Sequence, residues 1–390
     1  MDLEVALTIA HGLGASDIHF SVGKPIIIRV DGVMLDFNEA YDKVKVQDPG
    51  RLKRFEDTCV EISGQRFQSD YFAEYMKILS PVDTESMILP ILRQDQAEDF
   101  QEKGEIDLAH DGSSLGRFRI NVFRQKGTVA AALRLLPQKI PAPDELGLPP
   151  AVVQMTKKKR GLVLVTGPTG SGKSTTLASL INIINHTKKG HIITLEDPIE
   201  YMHRSDQCVV NQREVGMDTK GYAPALRAAL RQDPDIILLG EMRDLDTIST
   251  AVTAAETGHL VFSTLHTIGA AATIDRIVDV FPPHQQEQIK VQLATVLECV
   301  CSQQLMATAD LEGGRVAAIE VMVANPAIRN LIREGKTFQI PSMMQTNRKE
   351  GMVTMDDALY ELCMKNRITA ETALDYSQDY QYMQRKLGRA

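Results

Sequence analysis

Eight residues, "GPTGSGKS" from Gly167 to Ser174, fit the pattern G-x-x-x-x-G-K-[ST]. These residue types suit one chemistry, the holding of a nucleoside triphosphate by its phosphates. Glycines at 167, 170 and 172 let backbone N–H groups close around phosphate oxygens without side-chain clash. Lys173 would reach the β- and γ-phosphates, and Ser174 would place its hydroxyl on Mg²⁺. Pro168, Thr169, Ser171 and Thr175 complete the expected binding run, with ATP and Mg²⁺ as its ligands.

Hydrolysis needs a further group to orient water. In open α/β sheets ligands gather at the carboxyl ends of the strands. The run "DIILLGEMRD" puts Glu241 just past such an end, whereas Asp233 and Asp235 precede the strand. Gly240 occupies the position that often carries Asp, so Glu241 is the candidate water-orienting base. The run "HIITLEDPIEY" offers Glu196, Asp197 and Glu200 past another strand end. At least one should approach the metal or the attacking water, and the spacing leaves open which. Developing charge on the γ-phosphate also calls for arginine. Arg117, Arg119, Arg124 and Arg134 lie on expected strands near the N-terminus, where taken alone they read as solvated strand charges.

Two histidines, His259 and His266, bracket the apolar run in "TGHLVFSTLHT". On a helix a spacing of seven would put them on one face, as a shared metal requires. The run is β-branched and aromatic and follows a glycine, which predicts a strand. An odd offset on a strand points side chains to opposite faces. His266 then falls at the carboxyl end, toward the phosphates, as a γ-phosphate sensor. His259 falls at the other end, suited to a structural or contact role.

These residues need a framework. "GLVLVTG", "HIITLED", "DIILLGE" and "HLVFSTLHT" are continuous apolar runs alternating with helix-like segments, the pattern of a buried parallel sheet in a doubly wound α/β domain. That domain is expected over residues 151–310. Five prolines within residues 137–150 mark a linker at 141–150. Before it, "ASDIHF", "IIIRVDG", "GRFRINVF" and "GTVAAALRLL" read as strands of a mixed α/β domain over residues 1–140, with a charged, helix-rich stretch at 48–104. Residues 311–390 read as a helical tail. There Asn325 serves as N-cap, Pro326 as the first helical residue and Gly335 as the stop, with Ile328, Leu331 and Ile332 as one apolar stripe. Arg329, Asn330, Arg333 and Glu334 point elsewhere.

Composition excludes several classes. A net charge of -8 and the lack of a basic stripe argue against a nucleic-acid binder. No apolar run approaches the roughly 20 residues that span a bilayer, and the start lacks a signal-peptide pattern. Five scattered cysteines read as reduced thiols of a cytoplasmic protein.

Taken in order, "SDIHFSVGKPIIIRVDG", "GRFRINVF", "LVTGPTGSGKSTT", "ITLEDPIEY", "ILLGEMRD" and "TGHLVFSTLHT" resemble the secretion ATPases of type II and type IV secretion and type IV pili. Within that family "AIRNLIRE", Ala327 to Glu334, is similar to the signature of the pilus-retraction ATPases. Length agrees with that, since assembly ATPases usually carry a further N-terminal domain; they also usually carry a four-cysteine zinc motif in the C-terminal domain, which is missing here. The resemblance implies a PAS-like N-terminal α/β domain, a RecA-like P-loop ATPase domain and a hexameric ring. It implies a motor that retracts pili through an inner-membrane platform protein, touching pilin only indirectly, at the cytoplasmic face of the membrane. It favours Glu200 over Glu196, and it matches Arg119 and Arg134 to arginines that reach nucleotide at a domain or subunit junction. Residues 36 to 82 depart from the family, being longer and differently composed.

Overall fold

The structure is a computed structural model that describes residues 1–48, 50, 53, 55, 74–112, 115–137, 139–309 and 314–388. Within the departing 36–82 stretch, residues 49, 51, 52, 54 and 56–73 therefore lie outside the described residues. The chain divides into two compact units, Met1–Gln138 and Lys139–Ala390.

The first unit is an antiparallel sheet with helices. Its strands are β1 (Asp17–Phe20), β2 (Ile27–Val30), β3 (Val33–Asp36), β4 (Glu105–Gly112), β5 (Gly116–Gln125) and β6 (Thr128–Leu135), in the order β3-β2-β1-β6-β5-β4. Its described helices are α1 (Leu3–Gly12), α2 (Phe37–Gln47), α3 (Pro81–Ile88) and α4 (Gln94–Lys103). Asp31 and Gly32, with φ of 49° and 82°, turn β2 into β3 in a two-residue hairpin. Alternate residues face the core: Ile18 and Phe20, Ile28 and Val30, and Phe118, Ile120 and Val122 are all buried. The residues between them form a charged row on the other face. In register, Arg29 pairs Asp17, Asp17 pairs Arg134, and Arg134 pairs Arg119.

The second unit opens with α5 (Pro150–Gln154), whose Ala151 and Val152 pack into the core together with Leu148 from the proline-rich stretch. Seven strands follow: β7 (Gly161–Thr166), β8 (His191–Glu196), β9 (Val209–Glu214), β10 (Ile236–Leu239), β11 (Leu260–Leu265), β12 (Leu297–Ala307) and β13 (Arg315–Val323). Their order is β13-β12-β7-β11-β10-β8-β9, and only the β12–β13 pairing is antiparallel. The sheet therefore runs past residue 310, and a strand precedes the helices of the tail. Sequence reasoning passed over β9, β12 and β13, since their polar interruptions break the continuous apolar signature.

The central runs are apolar throughout because the sheet is covered on both faces. Leu162 and Leu164 enter one core cluster, while Val163 and Val165 enter the other. The same alternation splits Ile237 and Leu239 from Ile236 and Leu238. Covering helices are α6 (Lys173–Thr187), α7 (Tyr222–Ala229), α8 (Leu245–Glu256), α9 (Ala270–Asp279), α10 (Pro283–Val296), α11 (Pro326–Arg333), α12 (Ile340–Thr346), α13 (Met355–Met364), α14 (Ala370–Asp375) and α15 (Tyr380–Lys386). α11 begins as expected: the Asn325 side chain accepts from Ile328 N–H, Pro326 is the first helical residue, and Gly335 follows the helix at φ 67°. Ile328, Leu331 and Ile332 are buried in the cluster that α8 and α10 also feed. No described helix is long and apolar enough to cross a membrane.

Candidate active site

Parallel strands deliver four chain segments to one edge of the sheet. Thr166 pairs with Leu265, and Leu239 pairs with both Ser263 and Leu195. The segments just beyond β7, β8, β10 and β11 therefore converge, and they carry the phosphate loop, Glu196–Glu200, Gly240–Arg243 and His266. These residues line a cavity of about 640 Å³ that includes Lys173, Ser174, Glu200, Glu241 and His266.

The loop's glycines have specific reasons. Gly167 adopts φ 140°, and a Cβ there would come within 2.2 Å of the Gln303 carbonyl on β12. Gly170 and Gly172 lie at φ 80° and 90°, the left-handed region that side chains disfavour. Gly172 then caps α6, which aims its N-terminal N–H groups at the cavity. Lys173 Nζ donates to the carbonyls of Gly167 and Pro168 at 2.9 and 3.0 Å. Burial holds its ammonium below the usual lysine range, with Glu241 and Glu200 opposing that shift. A desolvated cation beside helix-end N–H groups is a seat for anionic phosphate. Ser171 is buried with a hydroxyl that has no partner among the described residues, and Thr175 Oγ1 meets Tyr201 Oη at 3.0 Å.

The carboxylates differ in their freedom. Glu196 Oε1 accepts from Thr194 Oγ1 at 2.6 Å and from Gln212 Nε2 at 3.1 Å, and burial pushes its carboxyl up. Glu200 is exposed in the cavity wall. Glu241 is only 15% exposed and is clamped on both oxygens, by Arg243 Nε at 2.6 Å and His266 Nε2 at 3.2 Å. Gly240 is a glycine because a Cβ there would lie 2.8 Å from the Tyr222 hydroxyl and 3.1 Å from the Leu195 carbonyl. A larger side chain at that position would collide, which leaves the acid to the next residue.

His259 and His266 sit at opposite ends of β11. His266 is half-exposed and faces the cavity. His259 ties off α8: its Nδ1 lies 2.9 Å from the Ala254 carbonyl and 3.2 Å from Thr257 Oγ1. A histidine that bonds the last carbonyls of a helix is a C-cap.

Several expected residues stand elsewhere. Arg119 and Arg134 belong to the first unit, and Arg134 Nε donates to Asp17 Oδ1 at 2.8 Å. Arg117 pairs with Asp111, and the Arg124 guanidinium lies over the Phe100 ring. Arg329 is occupied at the end of α10, donating to the carbonyls of Ala294 and Thr295 and to Glu298. Arg243, Tyr222 and Arg315 line the cavity and were not singled out from sequence. Arg243 had a signal, its place two residues after Glu241. Arg315 had none, because only the sheet order brings its strand beside the loop.

Residues 102–374 match the Type II/IV secretion system protein family. The chain is 44% identical over 373 residues to the type IV pilus retraction ATPase PilT of Pseudomonas aeruginosa, covering 96% of this chain and 97% of that one. It is 47% identical over 305 residues to a twitching motility protein of Neisseria gonorrhoeae, covering 78% and 81%. A crystal structure of the pilus retraction motor PilT with bound ADP superposes with a TM-score of 0.85 at 44% identity, covering 99% of each chain. The phosphate loop, the clamped glutamate and likeness along nearly the whole chain agree, and the chain belongs to the Type II/IV secretion system protein family, as one of its ATPases.

Proposed function

We propose that this chain is the ATP-hydrolysing motor that retracts type IV pili, the activity named for its Pseudomonas relative. One observation carries the chemical part: Lys173, Ser174, Glu200, Glu241 and His266, from four separate segments, share a single cavity.

In this reading the loop from Gly167 to Thr175 holds the phosphates through backbone N–H groups and Lys173. The donor set fits Mg²⁺, a hard cation that prefers oxygen, since a serine hydroxyl and carboxylates face the same space. Ser174 would hold the ion with help from Glu200, and bound Mg²⁺ would neutralise charge on the β- and γ-phosphate oxygens. Glu241 orients the attacking water, and its contacts with Arg243 and His266 keep the carboxylate aimed. His266 reads the γ-phosphate from the end of β11. Arg119 and Arg134, side by side on the first unit's sheet, supply positive charge to a nucleotide at a domain or subunit junction.

The chain works as a homohexameric ring at the cytoplasmic face of the inner membrane. Nucleotide-driven hinging between its two units turns a platform protein, and pilin subunits withdraw as a result. Two experiments test this. Purified protein should release phosphate in a Mg²⁺-dependent reaction that Glu241→Gln abolishes; no Mg²⁺-dependent release, with Glu241→Gln no different from wild type, would leave only a nucleotide-gated scaffold. Cells lacking the protein should carry long, unretracted pili; bald cells would make it an assembly or secretion ATPase instead.

A further inference from the structure

A second cavity, of about 360 Å³, lies on the other side of the Glu241 clamp. It shares Glu241, Arg243 and His266 with the nucleotide cavity, so these three side chains form a common wall. Its far side is formed by Arg276 and Val280 around α9. At roughly 30 Å³ per water, the space takes a phosphate ion with part of its hydration shell.

The charge in this cavity is one-sided. Its single carboxylate, Glu241, is already paired to both Arg243 and His266. Among the described residues the Arg276 guanidinium has no ion pair or hydrogen bond to another side chain, and nothing else in the lining is acidic. Two guanidiniums beside an imidazole are a combination that recognises a tetrahedral oxyanion. Hydrolysis leaves inorganic phosphate beside this wall, while ADP still fills the phosphate loop. Water attacks the γ-phosphorus, the bond to the bridging oxygen breaks and that oxygen stays with ADP, and the freed phosphate anion competes with Glu241 for Arg243 and His266.

We infer that this cavity is an exit site for inorganic phosphate, entered past Glu241 and closed on its outer side by Arg276. It gives phosphate a way out before ADP leaves. The inference rests on the hydrolysis reading above, and its test separates the two.

Product inhibition of steady-state ATP hydrolysis by inorganic phosphate distinguishes the routes. Phosphate leaving first, through its own door, inhibits noncompetitively against ATP. Phosphate leaving last, through the nucleotide mouth, inhibits competitively. The expected result is noncompetitive inhibition whose constant rises about tenfold in Arg276→Ala, the loss typical of one charge-assisted contact, with partial recovery in Arg276→Lys. Competitive inhibition, or the same constant in wild type and Arg276→Ala, overturns the exit site and leaves hydrolysis standing. Should Arg276→Ala melt below the assay temperature, Arg276→Gln carries the same comparison. Failure of the hydrolysis reading would show separately, as wild-type protein that releases no phosphate from ATP in the presence of Mg²⁺.

Discussion

The Glu241 carboxylate and the His266 imidazole meet at 3.2 Å across the ends of two neighbouring parallel strands. Both side chains line the cavity that holds the phosphate loop. On the proposed reading, His266 reports whether the γ-phosphate is attached and releases or holds Glu241 accordingly.

Glu241→Gln keeps the shape and removes the base. Turnover should fall by about 10² to 10⁴-fold, the range for general-base removal, with ATP affinity nearly unchanged in equilibrium binding. His266→Ala should also lower turnover with binding retained, because the side chain is half-exposed and carries little of the core. Normal turnover in His266→Ala would end its role as sensor.

Asp17 holds Arg134 at 2.8 Å on the first unit's charged row. On the proposed role of Arg134, Asp17→Asn should lower ATP turnover several-fold without altering the nucleotide cavity, and should add nothing to Arg134→Ala in a double-mutant cycle. Additive losses would show that Asp17 acts by some other route. The same pair has a pH signature. Burial alone would raise the Asp17 carboxyl, yet hydrogen bonds from Arg134 and Ser16 outweigh it and hold the group below its ordinary 3.8. The unfolded chain then binds the proton first as pH falls. The stabilisation is complete above about pH 3.8 and is lost as pH drops through the lower folded value. Denaturant melts of wild type and Asp17→Asn should differ by about 1 kcal/mol or less at neutral pH, since Arg134 is largely exposed, and should converge in acid.

Much of this site was legible because each part announces itself locally. The phosphate loop has fixed residue types, and the apolar runs of β7, β8, β10 and β11 mark strands whose carboxyl ends must gather. Glu241 and His266 followed from that geometry. Arg315 and Gln303 were hidden because nothing local ties β12 and β13 to the loop; only the sheet order brings them beside it. Gly240 puzzled the sequence reading, and the Tyr222 hydroxyl 2.8 Å from its missing Cβ explains it. Arg329 shows the opposite case. A charged residue on an exposed-looking helix position turned out to be occupied by three acceptors at the end of α10.

His203 offers a second pH test. Its side chain is largely buried, its Nδ1 has no partner among the described residues, and burial with the nearby His186 pushes its pKa down to about 4. The unfolded chain takes up a proton near 6.5 while the folded chain does not, so stability falls as pH drops from 6.5 to about 4. The loss should be on the order of 2–3 kcal/mol across that window. His203→Leu should flatten the dependence. A wild-type profile already flat between pH 6.5 and 4 would contradict the buried neutral imidazole.

The α11 stripe divides into residues that hold the core and residues that do not. Ile332 is fully buried and packs with the helices covering the nucleotide-binding sheet. Ile332→Ala should cost about 2–5 kcal/mol through lost transfer energy and cavity formation. Since the same cluster supports β10 and β11, ATP binding and pilus retraction should decline together in that variant. A selective loss of retraction is expected instead from Arg333→Ala, whose side chain is exposed and outside the cluster. Its melting temperature and ATP affinity should match wild type while twitching on agar is reduced. If Arg333→Ala twitches normally and Ile332→Ala loses retraction while keeping stability and ATP binding, the coupling function belongs to the apolar stripe itself.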